Sequence, residues 1–396
     1  MVKIGFDISA LDPAFKAHAH RGIGRYVREL RGYFDQIKRV SYDGRSAIEY
    51  FDHTTFFSGK IVKPFLAALP AGVNTVRQQI LFPLQLSFGA SSHLNFVHFP
   101  AHMDAPSWSF KPYVVTVLDL IPLILKDIYA PERGNWRFHF ARWLEIRAIK
   151  GASFVLAISE NTAHDVHRIL GIPYDRIAVT PLGVDDRFFK SALKEEEATL
   201  RARYKIPADR PIILYVGGID PRKNILVAVQ ALHKVLGKVD SDKRPVFVMA
   251  GRIQSDKQYP ILQREIDRLG IGEDVICPGF VPDEDLFQIY SISTLFLFPS
   301  LYEGFGLPPL EAMAAGLPVI SSNTSCMPEV LGSAAIYVDP NDPDQIAEEI
   351  LGLLQSPDKC RELGDIGRLH ARHFTWERTG QTTMEAYAQA SKILGL

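Results

Sequence analysis

The sequence contains little cysteine, no long hydrophobic run and almost no net charge. Its 396 residues include three cysteines, Cys277, Cys326 and Cys360, which are too few and too scattered for a disulfide framework or a zinc site. No apolar run approaches the roughly 20 residues that a membrane-spanning helix needs. A formal net charge of −1 provides no overall attraction for nucleic acid, so we expect no nucleic acid partner.

The first residues, 1–9, alternate as a strand does and lack the long apolar core of a signal peptide. Three scattered thiols also suit a reducing compartment, so we expect a cytoplasmic protein. Residues 1–185 contain 21 lysines and arginines against 16 aspartates and glutamates. Peripheral contact of an N-terminal domain with an anionic acceptor or the inner membrane surface is one interpretation of this excess. Solvated side chains without a partner are the other.

Short apolar runs rich in Val, Ile and Phe alternate with longer helical patterns, which is typical of βαβ units and a parallel sheet. The chain is longer than one hydrophobic core usually supports. We therefore predict an α/β protein of two Rossmann-like, doubly wound parallel-sheet domains that face a cleft. Strands are predicted at 2–8, 96–99, 113–118, 153–158 and 176–180, and then at 211–216, 245–250, 274–277, 294–298, 318–321 and 335–338.

Helices are predicted at 24–36, 133–149 and 160–170 in the first half, whereas residues 40–95 carry no readable pattern. A charged, helix-forming stretch near 186–210 separates the two halves and ends at a proline before the next strand. We predict a first domain over 1–190 and a second over 191–374.

The strongest functional signal is the segment 300–319, which reads SLYEGFGLPPLEAMAAGLPV. A glycine-punctuated turn follows a buried strand, and Pro308 or Pro309 at the first helical position begins a helix. The exposed amides of such a helix N-terminus form an anion site suited to a diphosphate. Glu303 lies before the helix and Glu311 about one turn inside it, so both carboxylates can accept hydrogen bonds from one ligand's hydroxyls. A helix cap with an exposed glutamate is the alternative interpretation.

This segment resembles the Glu-x7-Glu motif of family 4 of the retaining glycosyltransferases, which have the GT-B fold. The resemblance implies that Glu303 contacts the hydroxyls of the donor sugar and Glu311 the ribose of the nucleotide. It implies that backbone amides of the glycine turn bind the diphosphate and the sugar, so the donor-binding candidates there are Gly304, Phe305, Gly306 and Leu307. It also implies an acceptor-binding first domain, a nucleotide-sugar-binding second domain, and a final helix, 375–396, that packs back on the first.

A second segment, 215–224, reads YVGGIDPRKN after the first strand of the second domain. Gly217 and Gly218 free the backbone, and the adjacent cations Arg222 and Lys223 can neutralise a pyrophosphate leaving group as its charge develops. An isolated cation pair of this kind is otherwise a solvated helix start. The segment resembles the family's phosphate-binding pair, which carries that role to Arg222 and Lys223. Many relatives have an arginine at the position of Gly218, which leaves Arg222 to act alone here.

Further segments resemble the family in the same order along the chain. Residues 21–26, RGIGRY, resemble its N-terminal glycine loop, which makes Gly22 and Gly24 donor-binding candidates. Gly251–Arg252 and the segment 278–282 resemble loops that enclose the nucleobase, and the candidates there are Arg252, Phe280 and Val281.

The predicted strand at 113–118 resembles one that in many relatives ends in His-Asp. That histidine is proposed to help position the donor sugar. Here Leu118 replaces the histidine, whereas Asp119 is retained as a candidate catalytic residue beside Arg222, Lys223 and Glu303.

Three Asp-x-Asp triplets, at 240–242, 283–285 and 342–344, match the pattern of metal-dependent glycosyltransferases. With 22% charged residues such triplets arise by chance, and the fold of the resemblance needs no catalytic metal. We expect no metal and no cofactor beyond the nucleotide sugar as co-substrate. The stretch 136–143, WRFHFARW, has aromatics and arginines at helical spacing, which favours either a helix packed on the N-terminal sheet or a membrane-surface face.

The predicted function is transfer of a hexosyl group from a nucleotide diphosphate sugar to a hydroxyl of a glycan or lipid-linked acceptor, with retention at the anomeric carbon. The overall pattern resembles bacterial polysaccharide mannosyltransferases, so GDP-mannose is the expected donor. No second carboxylate is placed for a double displacement, which favours a front-face mechanism in which the leaving phosphate accepts the acceptor's proton.

Other classes of protein share parts of this pattern. A nucleotide-sugar epimerase or a phosphorylase of the GT-B type would use the same diphosphate machinery, and a non-catalytic nucleotide-sugar-binding protein would bind without transfer. An NAD-dependent dehydrogenase would require a full glycine fingerprint and an acidic residue about 20 positions further on, and neither half has both.

Overall fold

The computed structural model of the chain describes residues 2–11, 22–40, 46–51, 78–79, 82–88, 93–129, 136–190 and 194–396. The chain divides into two units, one formed by Met1–Leu182 with Trp376–Leu396 and the other by Gly183–Thr375. The sequence predicted a boundary after residue 190, whereas the structure divides the chain after Leu182. The charged helix that follows residue 190 belongs to the second unit. Each unit contains a six-stranded parallel sheet, which confirms the predicted α/β class.

The sheet of the first unit has the strand order β2-β1-β3-β4-β5-β6. Its strands are β1 Val2–Asp7, β2 Ser46–Phe51, β3 Phe96–Phe99, β4 Tyr113–Val117, β5 Phe154–Ala157 and β6 Ile177–Val179. The described helices of this unit that precede β6 in sequence are α1 Gly22–Val40, α2 Phe82–Phe88, α3 Ile121–Ile124, α4 Trp136–Gly151 and α5 Glu160–Leu170. Strand β2 lies in the stretch where the sequence showed no pattern; it is an edge strand that pairs with β1.

The sheet of the second unit has the strand order β12-β11-β10-β7-β8-β9. Its strands are β7 Ile212–Val216, β8 Val246–Ala250, β9 Val275–Gly279, β10 Leu295–Phe298, β11 Val319–Ser322 and β12 Ile336–Val338. Its helices are α6 Lys194–Arg203, α7 Ile225–Leu236, α8 Tyr259–Leu269, α9 Asp283–Ile292, α10 Leu307–Ala314, α11 Met327–Leu331, α12 Pro343–Leu354 and α13 Pro357–Ala371. Every strand predicted from the sequence is present, with ends shifted by at most two residues.

The predicted strands were identifiable because helices cover both faces of a parallel sheet, so its strands are continuous apolar runs. All residues of β8 and of β10 are buried, and so are all those of β3, β4 and β5. Alternating patterns, which would indicate one solvated face, are absent from these five strands.

The last helix, α14 Trp376–Ile393, belongs to the first unit although it follows the whole second unit in sequence. Gly380 lets α14 approach α1 closely, because a Cβ at this position would lie 2.3 Å from the ring of Tyr33. Tyr387 of α14 is buried in the core, where its ring contacts Phe34 of α1 and Phe96 of β3. The hydrophobic contacts of these rings hold the C-terminal helix on the first sheet.

A buried polar network joins α14 to the first sheet. His98 Nδ1 lies 2.7 Å from the Tyr387 hydroxyl, and His98 Nε2 lies 2.8 Å from Thr116 Oγ1. The Tyr26 hydroxyl of α1 lies 3.1 Å from the same Thr116 oxygen. Burial lowers the pKa of His98 to about 3, and the charge of Asp7 offsets only part of that shift. His98 is therefore neutral at physiological pH and acts as a core hydrogen-bonding group.

Helix α4 combines two different faces. Ala148 and Ile149 are fully buried in the core of the first unit. Trp136, Phe140 and Trp143 lie on the opposite side, with 70%, 46% and 50% of their surfaces exposed. The helix therefore packs on the N-terminal sheet, as one of the two interpretations predicted, and also presents an exposed aromatic face. No helix among the residues that the structure describes is long and apolar enough to cross a membrane.

Candidate functional site

The order of the second sheet creates a crevice between β7 and β10. From β7 the chain builds β8 and β9 on one side, and it then returns to place β10 on the other side of β7. The loops that leave the carboxyl ends of two such strands diverge, and this switch point is where open α/β sheets bind ligands. The segments 217–224 and 299–306, which carried the two strongest sequence signals, are the loops at this point.

The loop after β7 is shaped by its two glycines. Gly217 has a φ of +152°, and a Cβ there would lie 2.8 Å from the hydroxyl of Tyr215. That hydroxyl donates a hydrogen bond to the carbonyl of Gly218. Asp220 caps the short 3-10 helix Pro221–Lys223 by accepting a bond from the amide of Arg222. The loop thereby directs the two predicted cations towards β10.

Arg222 and Lys223 converge on the carboxylate of Glu303. Lys223 Nζ lies 2.6 Å and Arg222 Nη1 2.7 Å from the same Glu303 oxygen, Oε1. Arg222 also donates to the carbonyl of Tyr302, and Lys223 Nζ lies 4.9 Å from the centre of the Phe298 ring. The structure thus brings together three of the four predicted catalytic residues, although Lys223 and Glu303 are 80 positions apart in sequence.

The three charges have a net value of +1, because two cations share one carboxylate. Glu303 is 7% exposed. Burial raises the pKa of Glu303, but the charges of Lys223 and then Arg222 outweigh it and hold that pKa below its usual value. Glu303 is therefore ionised. Asp220, whose Oδ1 lies 3.8 Å from Arg222 Nε, offsets part of the positive charge, so the two cations themselves are what the site offers to an anion at the carboxyl end of the sheet.

The turn before α10 places the second glutamate. Gly306 precedes the helix with a φ of +97°, and α10 begins at Leu307, so Pro308 and Pro309 occupy the second and third positions rather than the first. Glu311 is buried, and its Oε2 accepts a hydrogen bond from the hydroxyl of Tyr290, 3.1 Å away. Tyr290 of α9 was not predicted, because nothing in the local sequence links it to Glu311.

Two further predicted donor-binding side chains are buried. Phe305 is 3% exposed and packs edge-on against Phe374, so its side chain anchors the turn. Val281 is 6% exposed. For Phe305 and Val281 the backbone is therefore the group available to a ligand. Gly304 is also buried, within the turn itself.

The ends of β8 and β9 form an exposed aromatic platform. Gly251 follows β8 with a φ of +154°, and a Cβ there would lie 2.1 Å from the carbonyl oxygen of Gly217. The guanidinium of the next residue, Arg252, lies 5.4 Å from the ring centre of Phe280, which is 57% exposed. An exposed aromatic ring with a guanidinium beside it is suited to stacking against a planar base.

The remaining predicted residues lie in the first unit. Gly22 and Gly24 form the first turn of α1, and Arg21 before them is outside the described residues. Asp119 follows β4 and accepts a hydrogen bond from the amide of Ile121 at the start of α3, 3.1 Å away. Asp119 thus binds the backbone at the start of α3 within its own unit.

Many relatives have histidine at the position of Leu118. Here the backbone amide of Leu118 is bound by a different histidine, His102. The amide of Leu118 donates to His102 Nδ1 over 3.4 Å, and His102 Nε2 lies 2.6 Å from Glu145 of α4. His102 is 3% exposed, so it supports the backbone after β4 and cannot replace the missing side chain.

Aspartates of the Asp-x-Asp triplets have partners within the second unit. Asp285 pairs with Arg203 over 2.7 Å and also accepts from the hydroxyl of Tyr204. Asp342 caps α12 by accepting from the amides of Asp344 and Gln345. Across the described part of the chain no group of three histidine, cysteine, aspartate or glutamate side chains could hold a metal ion.

Comparison with known proteins identifies similar chains. Residues 196–370 match the family described as glycosyl transferases group 1, and residues 90–188 match glycosyltransferase family 4. The O-antigen chain mannosyltransferase B of Escherichia coli is 36% identical over 375 residues, which cover 92% of this chain and 92% of that protein. The serotype-specific mannosyltransferase WbdA of Escherichia coli is 31% identical over 273 residues, or 68% of this chain and 32% of that protein.

A solved structure shares the fold over nearly the whole chain. Sucrose-phosphate synthase from Thermosynechococcus elongatus superposes with a TM-score of 0.71 and 21% identity, covering 98% of this chain and 99% of that one.

Proposed function

This chain belongs to glycosyltransferase family 4, and from that membership we propose that it transfers mannose from GDP-mannose, with retention at the anomeric carbon, to a hydroxyl of a glycan or lipid-linked saccharide. The observation that carries this proposal is the buried cluster in which Arg222 and Lys223 share the carboxylate of Glu303. Two relatives similar to this chain are mannosyltransferases by name, one of them over 92% of its length. That similarity supports mannose as the transferred sugar.

The cluster suits a sugar diphosphate because it places two cations, which bind phosphates, within a few ångströms of a carboxylate, which accepts hydrogen bonds from sugar hydroxyls. Arg222 and Lys223 attract the diphosphate and stabilise the negative charge that develops on the leaving phosphate oxygen. Glu303 accepts a hydrogen bond from a sugar hydroxyl when the phosphates engage the cations. Phe280 with Arg252 offers the base a stacking surface at the ends of β8 and β9.

The cluster also favours front-face attack. A carboxylate that is paired with two cations at 2.6 and 2.7 Å is a poor nucleophile, so Glu303 does not suit a double displacement. In the proposed step the bond between the anomeric carbon and the phosphate oxygen breaks, and the acceptor oxygen bonds to the same face of that carbon. The acceptor proton passes to the leaving phosphate oxygen, and GDP is released.

We expect GDP to stabilise the protein against heat more than UDP, dTDP, ADP or NAD, and we expect the shift to be the same with and without magnesium. A ligand present at 100 times its dissociation constant adds about 2.7 kcal/mol to the free energy of unfolding, which a melting curve resolves. The measurement is a thermal-shift screen at matched nucleotide concentrations, followed by an assay of mannose transfer from GDP-mannose. A shift with UDP alone would identify a different donor, and a shift with NAD alone would remove the glycosyltransferase proposal.

We also propose that the exposed aromatic face of α4, defined as Trp136, Phe140 and Trp143, contacts an anionic membrane surface where a lipid-linked acceptor lies. Phe140 and Trp143 stack with ring centres 5.9 Å apart, and the guanidinium of Arg147 lies 5.1 Å from the Trp143 ring. Exposed aromatic rings beside cations suit the boundary between acyl chains and lipid phosphates.

We expect the protein to co-sediment with vesicles of 30% phosphatidylglycerol in phosphatidylcholine, and the double variant Trp136→Ser, Trp143→Ser to bind at least about fivefold less, since each buried aromatic contributes on the order of 1 kcal/mol. Leu369→Ser is the control, because Leu369 is 67% exposed on α13 of the second unit. Equal sedimentation of the wild type and the double variant would show that the aromatic face does not bind lipid.

A further inference from the structure

The loop that carries Glu303 has irregular backbone. Asn224 and Arg222 donate to its carbonyls at Pro299 and Tyr302, and the side chains of one other segment bind further polar groups of the loop. This segment, Ser322–Cys326, begins at the last residue of β11 and reads SNTSC. Ser322 Oγ donates to the carbonyl of Ser300 over 2.6 Å. Thr324 Oγ1 lies 3.2 Å from the same carbonyl and 3.0 Å from that of Leu301. Because buried backbone groups need partners, these side chains replace the ladder that a regular strand would supply.

The last two residues of the segment hold Glu303 itself from both sides of its backbone. The amide of Glu303 donates to Ser325 Oγ over 3.1 Å. The thiol of Cys326, which is fully buried, donates to the carbonyl of Glu303 over 3.2 Å. The amide and the carbonyl of one residue define the direction of its Cα–Cβ bond, so these two contacts orient the carboxylate that receives Arg222 and Lys223.

Ser325 is held in a backbone conformation that non-glycine residues seldom adopt. Its φ is +52°, and in the described residues only Lys205 and Asn224 share a positive φ among non-glycine residues. A glycine would relieve this strain, so the serine side chain has to offset it. The hydrogen bond to the amide of Glu303 is a contact that the glycine would lose.

We propose that Ser325 and Cys326 are positioning residues that set the orientation of Glu303 towards the donor sugar. This inference rests on the proposed function, because it assigns Glu303 to the sugar hydroxyls. Without Ser325 Oγ the backbone of Glu303 gains freedom, and the carboxylate remains paired with Arg222 and Lys223 but meets the sugar less often in the productive geometry.

The test is the variant Ser325→Gly, which removes the side-chain oxygen and relieves the backbone strain that a positive φ imposes on a non-glycine residue. We expect a melting temperature close to that of the wild type, because the relieved strain and the lost hydrogen bond offset each other, and a dissociation constant for GDP within about twofold. Affinity for GDP-mannose and kcat for GDP release should each fall by about five- to thirtyfold, which corresponds to the loss of one hydrogen bond. The matched control is Lys205→Gly, which relieves a φ of +57° elsewhere in the same unit and should change neither binding nor kcat.

The same measurements on Glu303→Gln separate the two proposals. If Glu303→Gln lowers kcat and Ser325→Gly does not, the positioning role is wrong and the proposed function stands. If Glu303→Gln leaves kcat and GDP-mannose affinity unchanged, or if the wild type binds no GDP-mannose, the proposed function fails and this inference fails with it.

Cys326 is tested by its conservative variant. Cys326→Ser keeps a donor to the Glu303 carbonyl and should retain most of the wild-type kcat, whereas Cys326→Ala should lower kcat severalfold with the GDP dissociation constant unchanged. Equal kcat values for the alanine and serine variants would show that the thiol hydrogen bond has no role in placing Glu303.

Discussion

Replacing Lys223 with alanine should lower kcat by about 10²- to 10³-fold, because removal of one preorganised group that stabilises developing negative charge typically has an effect of this size. Lys223 Nζ lies 2.6 Å from Glu303 Oε1, and its side chain is 12% exposed, so water screens its charge only weakly. The fold should survive, since Arg222 still pairs with Glu303. The measurement is steady-state GDP release from GDP-mannose, with melting curves to confirm folding.

Lys243→Ala is the control for the Lys223 variant. Lys243 is 71% exposed and pairs with Asp240 on the surface of the same unit, so its removal should leave kcat unchanged. Lys223→Arg distinguishes charge from shape, because the guanidinium keeps the charge but does not fit the position of a compact ammonium. A Lys223→Ala enzyme with more than a third of the wild-type kcat would contradict the role proposed for this lysine.

Replacing Glu303 with glutamine should separate binding from catalysis. The change leaves Arg222 and Lys223 with no carboxylate between them, and removal of one partner from a buried ion pair typically lowers the free energy of unfolding by about 3–5 kcal/mol. The cluster loses one negative charge, so GDP should bind at least as tightly as in the wild type. Transfer of mannose should fall by about 10²-fold or more, because the sugar loses its carboxylate acceptor.

The stability difference between the wild type and Glu303→Gln should depend on pH in a defined direction. The cations hold the pKa of Glu303 below its ordinary value of 4.5, so the folded protein keeps this carboxylate ionised where the unfolded chain begins to protonate it. Its contribution is therefore fully present above about pH 5 and is lost progressively as the pH falls from 4.5 through the lower pKa of the folded state. Urea unfolding of both proteins at pH values from 7 to 4 measures how the difference between their free energies of unfolding decreases.

Glu362→Gln is the control for the Glu303 variant, because Glu362 is exposed on α13. It should change neither stability nor transfer. If Glu303→Gln unfolds at the same urea concentration as the wild type and transfers mannose at the same rate, then the cluster of two cations and one carboxylate is not the site of the reaction.

The two loops of the site were predictable because their signals are local. A run of apolar residues predicts a buried parallel strand, and glycines followed by cations or by a helix with proline in its first turn predict the turn at its end. The sequence alone therefore indicated Arg222, Lys223, Glu303 and Glu311. The residues that support them, Tyr290, Ser325 and Cys326, were not predictable, since a single serine or tyrosine carries no sign of the backbone or carboxylate that it will meet.

The amino-acid sequence by itself determined the class of the fold, its two parallel sheets and the chemistry of the groups at the strand ends. These follow from interactions between residues a few positions apart, which periodicity and turn composition record directly. The tertiary structure alone decided that β10 lies beside β7, which brings Lys223 within 2.6 Å of a carboxylate 80 residues away. It also decided that Ser325 bonds to Glu303, because strand order and contacts between distant segments depend on how distant surfaces bury one another. The return of the last helix to the first sheet was implied by the family resemblance and by no local pattern.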